Sequence, residues 1–216
     1  MQYAGKMLRA TMLLLTIPLL HAQFSIEPNR SGNQSFRLKN GTLEAEGQTV
    51  EQLLQFAYHM QAGCTLGPAW ITEKAFDVHG VANAGEKVRP LLQEALRDRF
   101  KIVVRRETRP MDVYVLKAGP DAAAKLGSST AADSEEMSHI RGKDLSAESI
   151  ARYLSSWLGV PVIDESGLHG RYAVNITWDA NNSDNLIPAV ERVGLRLEKD
   201  RRPVEVLIVS VNGASL

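Results

Sequence analysis

The sequence holds a single cysteine, Cys64, in 216 residues, so no disulfide can close within the chain and no thiolate zinc site can be assembled from it. Stability must come from buried apolar surface. An excess of charge is also missing: 25 Lys and Arg are balanced by 25 Asp and Glu, and neither nucleic acid nor another polyanion is an expected partner. Phosphate cradles of the Gly-x4-Gly-Lys-Ser/Thr or Gly-x-Gly-x-x-Gly kind do not occur, nor does the Gly-x-Ser-x-Gly turn of a serine hydrolase. The five histidines, at positions 21, 59, 79, 139 and 169, never stand three or four apart, whereas zinc needs three or four converging ligands. The nearest approach to a ligand pair is Asp77 with His79, two apart on one strand face, and that reads as a solvated face. Glu135-Glu136 reads as solubilising charge. No catalytic residue, metal or cofactor is expected.

Long apolar runs are scarce too. Only Ala10 to Leu20 qualifies, 11 residues behind Lys6 and Arg9 and ahead of Leu20-His21-Ala22. A membrane-spanning helix needs about 20 apolar residues, so residues 1–22 read as a secretory signal peptide, with an uncleaved anchor as the alternative. The mature chain would carry two fewer cations and a net charge of −2. It would be exported, periplasmic or secreted, with no membrane span after cleavage.

What is present is a pattern that recurs. Thr49 and Gln52 form a capping box ahead of Val50, Leu53, Leu54 and Ala57, with Gly63 available to end the helix; 97 residues on, Ser146 precedes Ala147, Ile150, Ala151, Leu154 and Leu158, closed by Gly159. A strand pair follows each helix. In the first copy Pro68-Ala69-Trp70 leads to Ala75–Val81; in the second, Val160–Ile163 leads to Tyr172–Trp178, where Tyr172, Val174, Ile176 and Trp178 share a face. A second helix comes next, Val88 to Leu96 and Leu186 to Val193, each with a proline (Pro90, Pro188) in its first turn, where the missing amide costs nothing. A hairpin is expected to close each copy, 100–104 with 111–116 and 195–198 with 204–209. The predicted fold is therefore α+β: a tandem duplication of a helix-strand-strand-helix-strand-strand unit with helices on one face of each small mixed sheet. The first repeat spans residues 23–117, a flexible linker 118–138, and the second repeat 139–216, with leading strands at Thr42–Ala45 and His139–Arg141.

Gly67-Pro68-Ala69-Trp70, Phe76-Asp77, Leu96-Arg97-Asp98-Arg99-Phe100-Lys101, Glu107-Thr108-Arg109 and Gly167-Leu168-His169-Gly170-Arg171-Tyr172 occur in combination. With them the chain, from Phe24 to about Val211, resembles a family of exported proteins of unknown function abundant in soil acidobacteria. Each half also looks like the short N-terminal domain shared by secretins and TonB-dependent signal transducers, on the order of its elements and on Leu168 to Tyr172 ahead of an alternating strand. The resemblance implies a periplasmic module that docks to protein partners, here without the pore or barrel. Some relatives are fused to membrane metallopeptidases, from which this chain departs in lacking His-Glu-x-x-His and membrane helices.

Both expected hairpin turns are basic, with Arg105, Arg106 and Arg109 in the first copy and Lys199, Arg201 and Arg202 in the second. Charged turns are ordinary, and the sharper reading is contact with an anionic partner. Cys64 reads as a buried thiol, with an intermolecular disulfide as the alternative, and Trp70, Trp157 and Trp178 as core or interface anchors. The function expected is a non-enzymatic interaction module for another envelope protein, with sheet edges as the docking mode. A hydrolase or peptidase accessory with a site between the repeats is the rival, and a ring-forming envelope component, a homo-oligomer, is the third reading.

Overall fold

A computed structural model describes residues 24–82, 87–127, 137–179 and 183–211. The expected signal peptide at 1–22 and the linker residues 128–136 lie outside them.

The first half builds an antiparallel sheet from β1 (Phe24–Pro28), β2 (Ser35–Lys39), β3 (Thr42–Thr49) and β5 (Ala75–Val81), in the order β1-β5-β3-β2. Between β3 and β5 come α1 (Val50–Tyr58), the two-residue β4 (Thr65–Leu66) and α2 (Trp70–Glu73). Thr49 caps α1 with the full reciprocal box to Gln52, as the spacing predicts. The helix ends earlier than Gly63: His59 adopts the left-handed conformation at φ 60° and its amide closes on the carbonyls of Gln55 and Phe56. The stretch from Pro68, expected to lead in as a strand, instead turns into α2, where the Pro68 carbonyl accepts the Ile71 amide at 3.1 Å and Ile71 is buried. α1 and α3 (Val88–Phe100) cover one face of the sheet, and Leu43, Ala45, Phe76 and Val78 meet Leu53, Leu54, Leu92 and Leu96 in the first core.

The second half contains β7 (Met137–Leu145), α5 (Ala147–Leu158), β8 (Val162–Asp164), β9 (Tyr172–Asp179) and α6 (Leu186–Arg192). Ser146 caps α5 and Gly159 ends it at φ 69°. Val174, Ile176 and Trp178 enter the second core with Ile150, Leu154 and Val190, on the face that alternation assigns. Strand irregularities fall in matching places: β3 slips against β5 between Ala45 and Gln48, and β7 slips against β9 between Gly142 and Leu145.

The closing hairpins do not form. β6 (Ile102–Ala118) and β10 (Leu195–Val211) are each 17 residues long without a turn, and they pair with each other antiparallel from Ile102↔Val211 to Ala118↔Leu195. The would-be turn residues hold no glycine or asparagine to supply the positive φ of a tight hairpin, so the chain runs on extended. Pro110 faces Pro203 at the centre of this ribbon, where neither strand has another neighbour among the described residues and a missing outward amide breaks no ladder. The mixed sheet is this central one, ordered β4-β10-β6-β8. Its pairing crosses the halves. β4 runs parallel to β10 and β8 parallel to β6, with the Leu207 amide donating to the Cys64 carbonyl at 2.8 Å and the Tyr114 amide to the Pro161 carbonyl at 2.9 Å. Val209 thus enters the first core and Leu116 the second, the reverse of the expected assignment.

The start of the expected linker is also structured. Ala118 ends β6, and α4 (Ala122–Gly127) packs against β9 with Ala122 and Leu126 fully buried. Alanine and leucine four apart give one short apolar stripe, which a composition reading passes over. Gly63 and Gly159 meet where the halves touch; a Cβ on Gly63 would stand 2.7 Å from the Gly159 carbonyl oxygen. Beside them Gln61 Oε1 accepts the Val162 amide at 2.9 Å.

Candidate functional site

The face of the first sheet turned away from the helices is polar, and it forms an open hollow of about 910 Å³ lined by Glu27, Arg37, Glu44, Asp77 and His79 among others. Asp77 is committed to structure. Its carboxylate accepts the Gly47 amide at 2.9 Å and the Asn29 side-chain amide at 2.7 Å. Gly47 sits in the bulge of β3 at φ 63°, where a Cβ would lie 2.1 Å from the Asn33 carbonyl oxygen. Asp77 therefore tethers the bulge to the loop after β1, while His79 is exposed opposite Glu44 and Ser25. Among the described residues no group of three or more His, Cys, Asp or Glu could hold a metal ion.

The six basic residues lie along the β6/β10 ribbon, not on two turns. Carboxylates accompany most of them: Arg105 and Arg109 both pair with Glu107, Arg106 with Glu205, Arg201 with Asp112 at 2.8 Å, and Arg202 with Asp200 at 2.7 Å. The Arg106 guanidinium also donates to the Tyr58 carbonyl at 2.9 Å, and Lys199 stands opposite Tyr114. Such exposed pairs each contribute about 0–1 kcal/mol, and their chief effect here is to mix the sign of the ribbon's surface. The hydrogen bond from the Arg201 amide, foremost, holds the Asp200 carboxyl below its usual range.

Cys64 is buried beside Val206 and Ile208 under the ribbon's centre, and burial pushes its thiol up to about 11. A thiolate is then scarce at neutral pH, and the side chain behaves as a small apolar filler. Trp178 is in the second core and Trp70 packs on Phe100 at 5.6 Å, whereas Trp157 is 53% exposed and meets Trp178 at 5.0 Å, 85°.

The sheet edges offer the accessible binding features. β2 pairs only with β3, and its other edge carries no strand among the described residues. Phe36 and Leu38, 45% and 46% exposed, overhang α1 from this edge, with Phe36 against Phe56 at 4.8 Å and Arg89 over the same Phe56 ring. Arg37 and Lys39 alternate with them toward the other face. Neither β1 nor β2 is among the elements expected from sequence. The signal was Asn40-Gly41 between two alternating runs, and the φ values of 51° and 79° are those of a type I′ hairpin turn.

A family model, that of a protein of unknown function (DUF3738), matches residues 51–211, which takes in both halves from α1 to the end of β10. No curated protein and no solved structure matches the chain. No helix among the described residues is long and apolar enough to cross a membrane.

Proposed function

Since the chain belongs to the DUF3738 family of proteins of unknown function, we propose that it is a non-enzymatic binding module that takes up an extended segment of another protein by strand addition. The exposed β2 edge with Phe36 and Leu38 carries this reading. An added strand would gain main-chain hydrogen bonds to β2, and the overhang above Phe56 would select an apolar side chain. The rival site between the halves has less behind it: an open hollow of about 520 Å³ there is lined by Asp112, Tyr114, Val160, Lys199, Asp200 and Arg201, and its two carboxylates are engaged by Arg201 and Arg202. Contact of the ribbon cations with an anionic partner remains a weaker proposal, given the carboxylates that accompany them.

The module is read as two tandem copies of one unit, each like the short secretin/TonB N-terminal domain, whose last strands have been exchanged. The matching bulges and the equivalent amide bonds to Cys64 and Pro161 support the duplication. Export rests on residues 1–22 and would place the partner in the envelope. Selection of a displayed library of extended peptides tests the binding reading: binders to the wild type should be lost on Leu38→Pro and weakened at least tenfold by Phe36→Ser. Enrichment of the same peptides by both variants would overturn it.

A further inference from the structure

We propose that the outer edge of β7, with the Tyr153 and Trp157 face of α5, is a second strand-accepting site whose occupant is an extended segment of another protein alternating acidic with apolar side chains. This extends the binding reading above to a different edge, one inside the residues that the family model matches.

The first half shows what the edge is for. β3 and β7 each run antiparallel to their partner, slip at equivalent residues and lead through a capping residue into α1 or α5. On β3 the outer edge is covered by β2; on β7 no strand covers it among the described residues. At the positions equivalent to the Asn40-Gly41 turn, Met137 and Ser138 are strand residues paired with Asp179 and Trp178, so β7 runs on where the β2–β3 hairpin turns.

The helix beneath is correspondingly bare. Tyr153 lies 97 residues after Phe56, the ring on which Phe36 of β2 packs. Tyr153 is 48% exposed and Trp157, one turn on, 53% exposed; these are the two most exposed large apolar side chains described. Trp157 is held in place by its contact with Trp178, so it presents a fixed aromatic surface to solvent.

Charge selects the occupant. Lys143 is exposed on β7, and its one acid, Asp144, is engaged by Arg171 at 2.6 Å. The other open edge, β2, is basic as well, through Arg37 and Lys39. Pairing these edges between two copies would set like charges against each other, which disfavours self-assembly and favours a partner that brings carboxylates.

The test uses an eight-residue peptide alternating glutamate with valine and phenylalanine, a counterpart with lysine for glutamate, and a third with alternate backbone amides N-methylated. The first should bind and slow hydrogen exchange of amides within 139–143. The lysine and N-methylated peptides, and the Tyr153→Ser/Trp157→Ser protein with the first peptide, should bind at least tenfold more weakly. Absence of binding, equal binding of the N-methylated peptide, or binding indifferent to charge would overturn the proposal. Protection confined to residues 35–39 would overturn the β7 assignment while leaving the β2 reading intact.

Discussion

Asp77 shows how one side chain can look like chemistry in the sequence and prove to be architecture. Its carboxylate is shared between the Gly47 amide and Asn29, so Asp77→Ala leaves a bulge amide without its acceptor. The expected cost is about 1–3 kcal/mol, seen as a lower urea midpoint at unchanged slope. His59 offers a pH-dependent counterpart. Desolvation, with Arg152 and Arg89 nearby, lowers its pKa, so the unfolded chain takes up a proton before the folded one does. The penalty on the native state is absent well above the ordinary histidine value of about 6.5 and grows as the pH falls through it. His59→Asn keeps a residue that tolerates the left-handed cap and removes the titration. Stability of the variant between pH 7 and 5 should therefore fall less steeply than that of the wild type in parallel denaturation curves; equal slopes would show that His59 does not sense the fold.

At the scale of elements, what could be read from the sequence was what local geometry decides. The capping box at Thr49, the cap at Ser146, Pro90 in the first turn of its helix and the alternation from Tyr172 to Trp178 all depend on neighbours within a few residues, and each stands where the pattern puts it. Pairing is another matter. The runs 102–104 and 113–116 alternate well enough to be strands, but nothing local says that each pairs with a run 81 to 109 residues away instead of with the other. α4 escaped for a different reason: one buried leucine and a few alanines give too weak a period to stand out from a linker. Its contribution can be measured. Leu126 is fully buried in the second core, so Leu126→Ala should cost about 2–4 kcal/mol, whereas the same change in a loose linker would cost close to nothing.

Across the whole molecule, the crossing of β6 and β10 makes each core depend on the other half of the chain. Val209 is buried in the first core and Leu116 in the second, so a cavity made by Val209→Ala should lower the stability of both halves in a single transition. The register supplies a sharper check. Thr108 and Glu205 are direct partners in the ribbon, whereas closed hairpins would hold them in separate halves, Thr108 in the first turn and Glu205 in the last strand of the second hairpin. Thr108→Cys with Glu205→Cys should then form an intramolecular disulfide under mild oxidation, trapping a monomer that migrates faster on a non-reducing gel. Cys64 is buried with its pKa pushed up to about 11, so it competes little for that pairing, and Cys64→Ala in the same background removes it altogether. Disulfide-linked dimers in place of the compact monomer would mean that the strands are exchanged between chains, and the reduced state persisting under oxidant would mean that the hairpins close within each half.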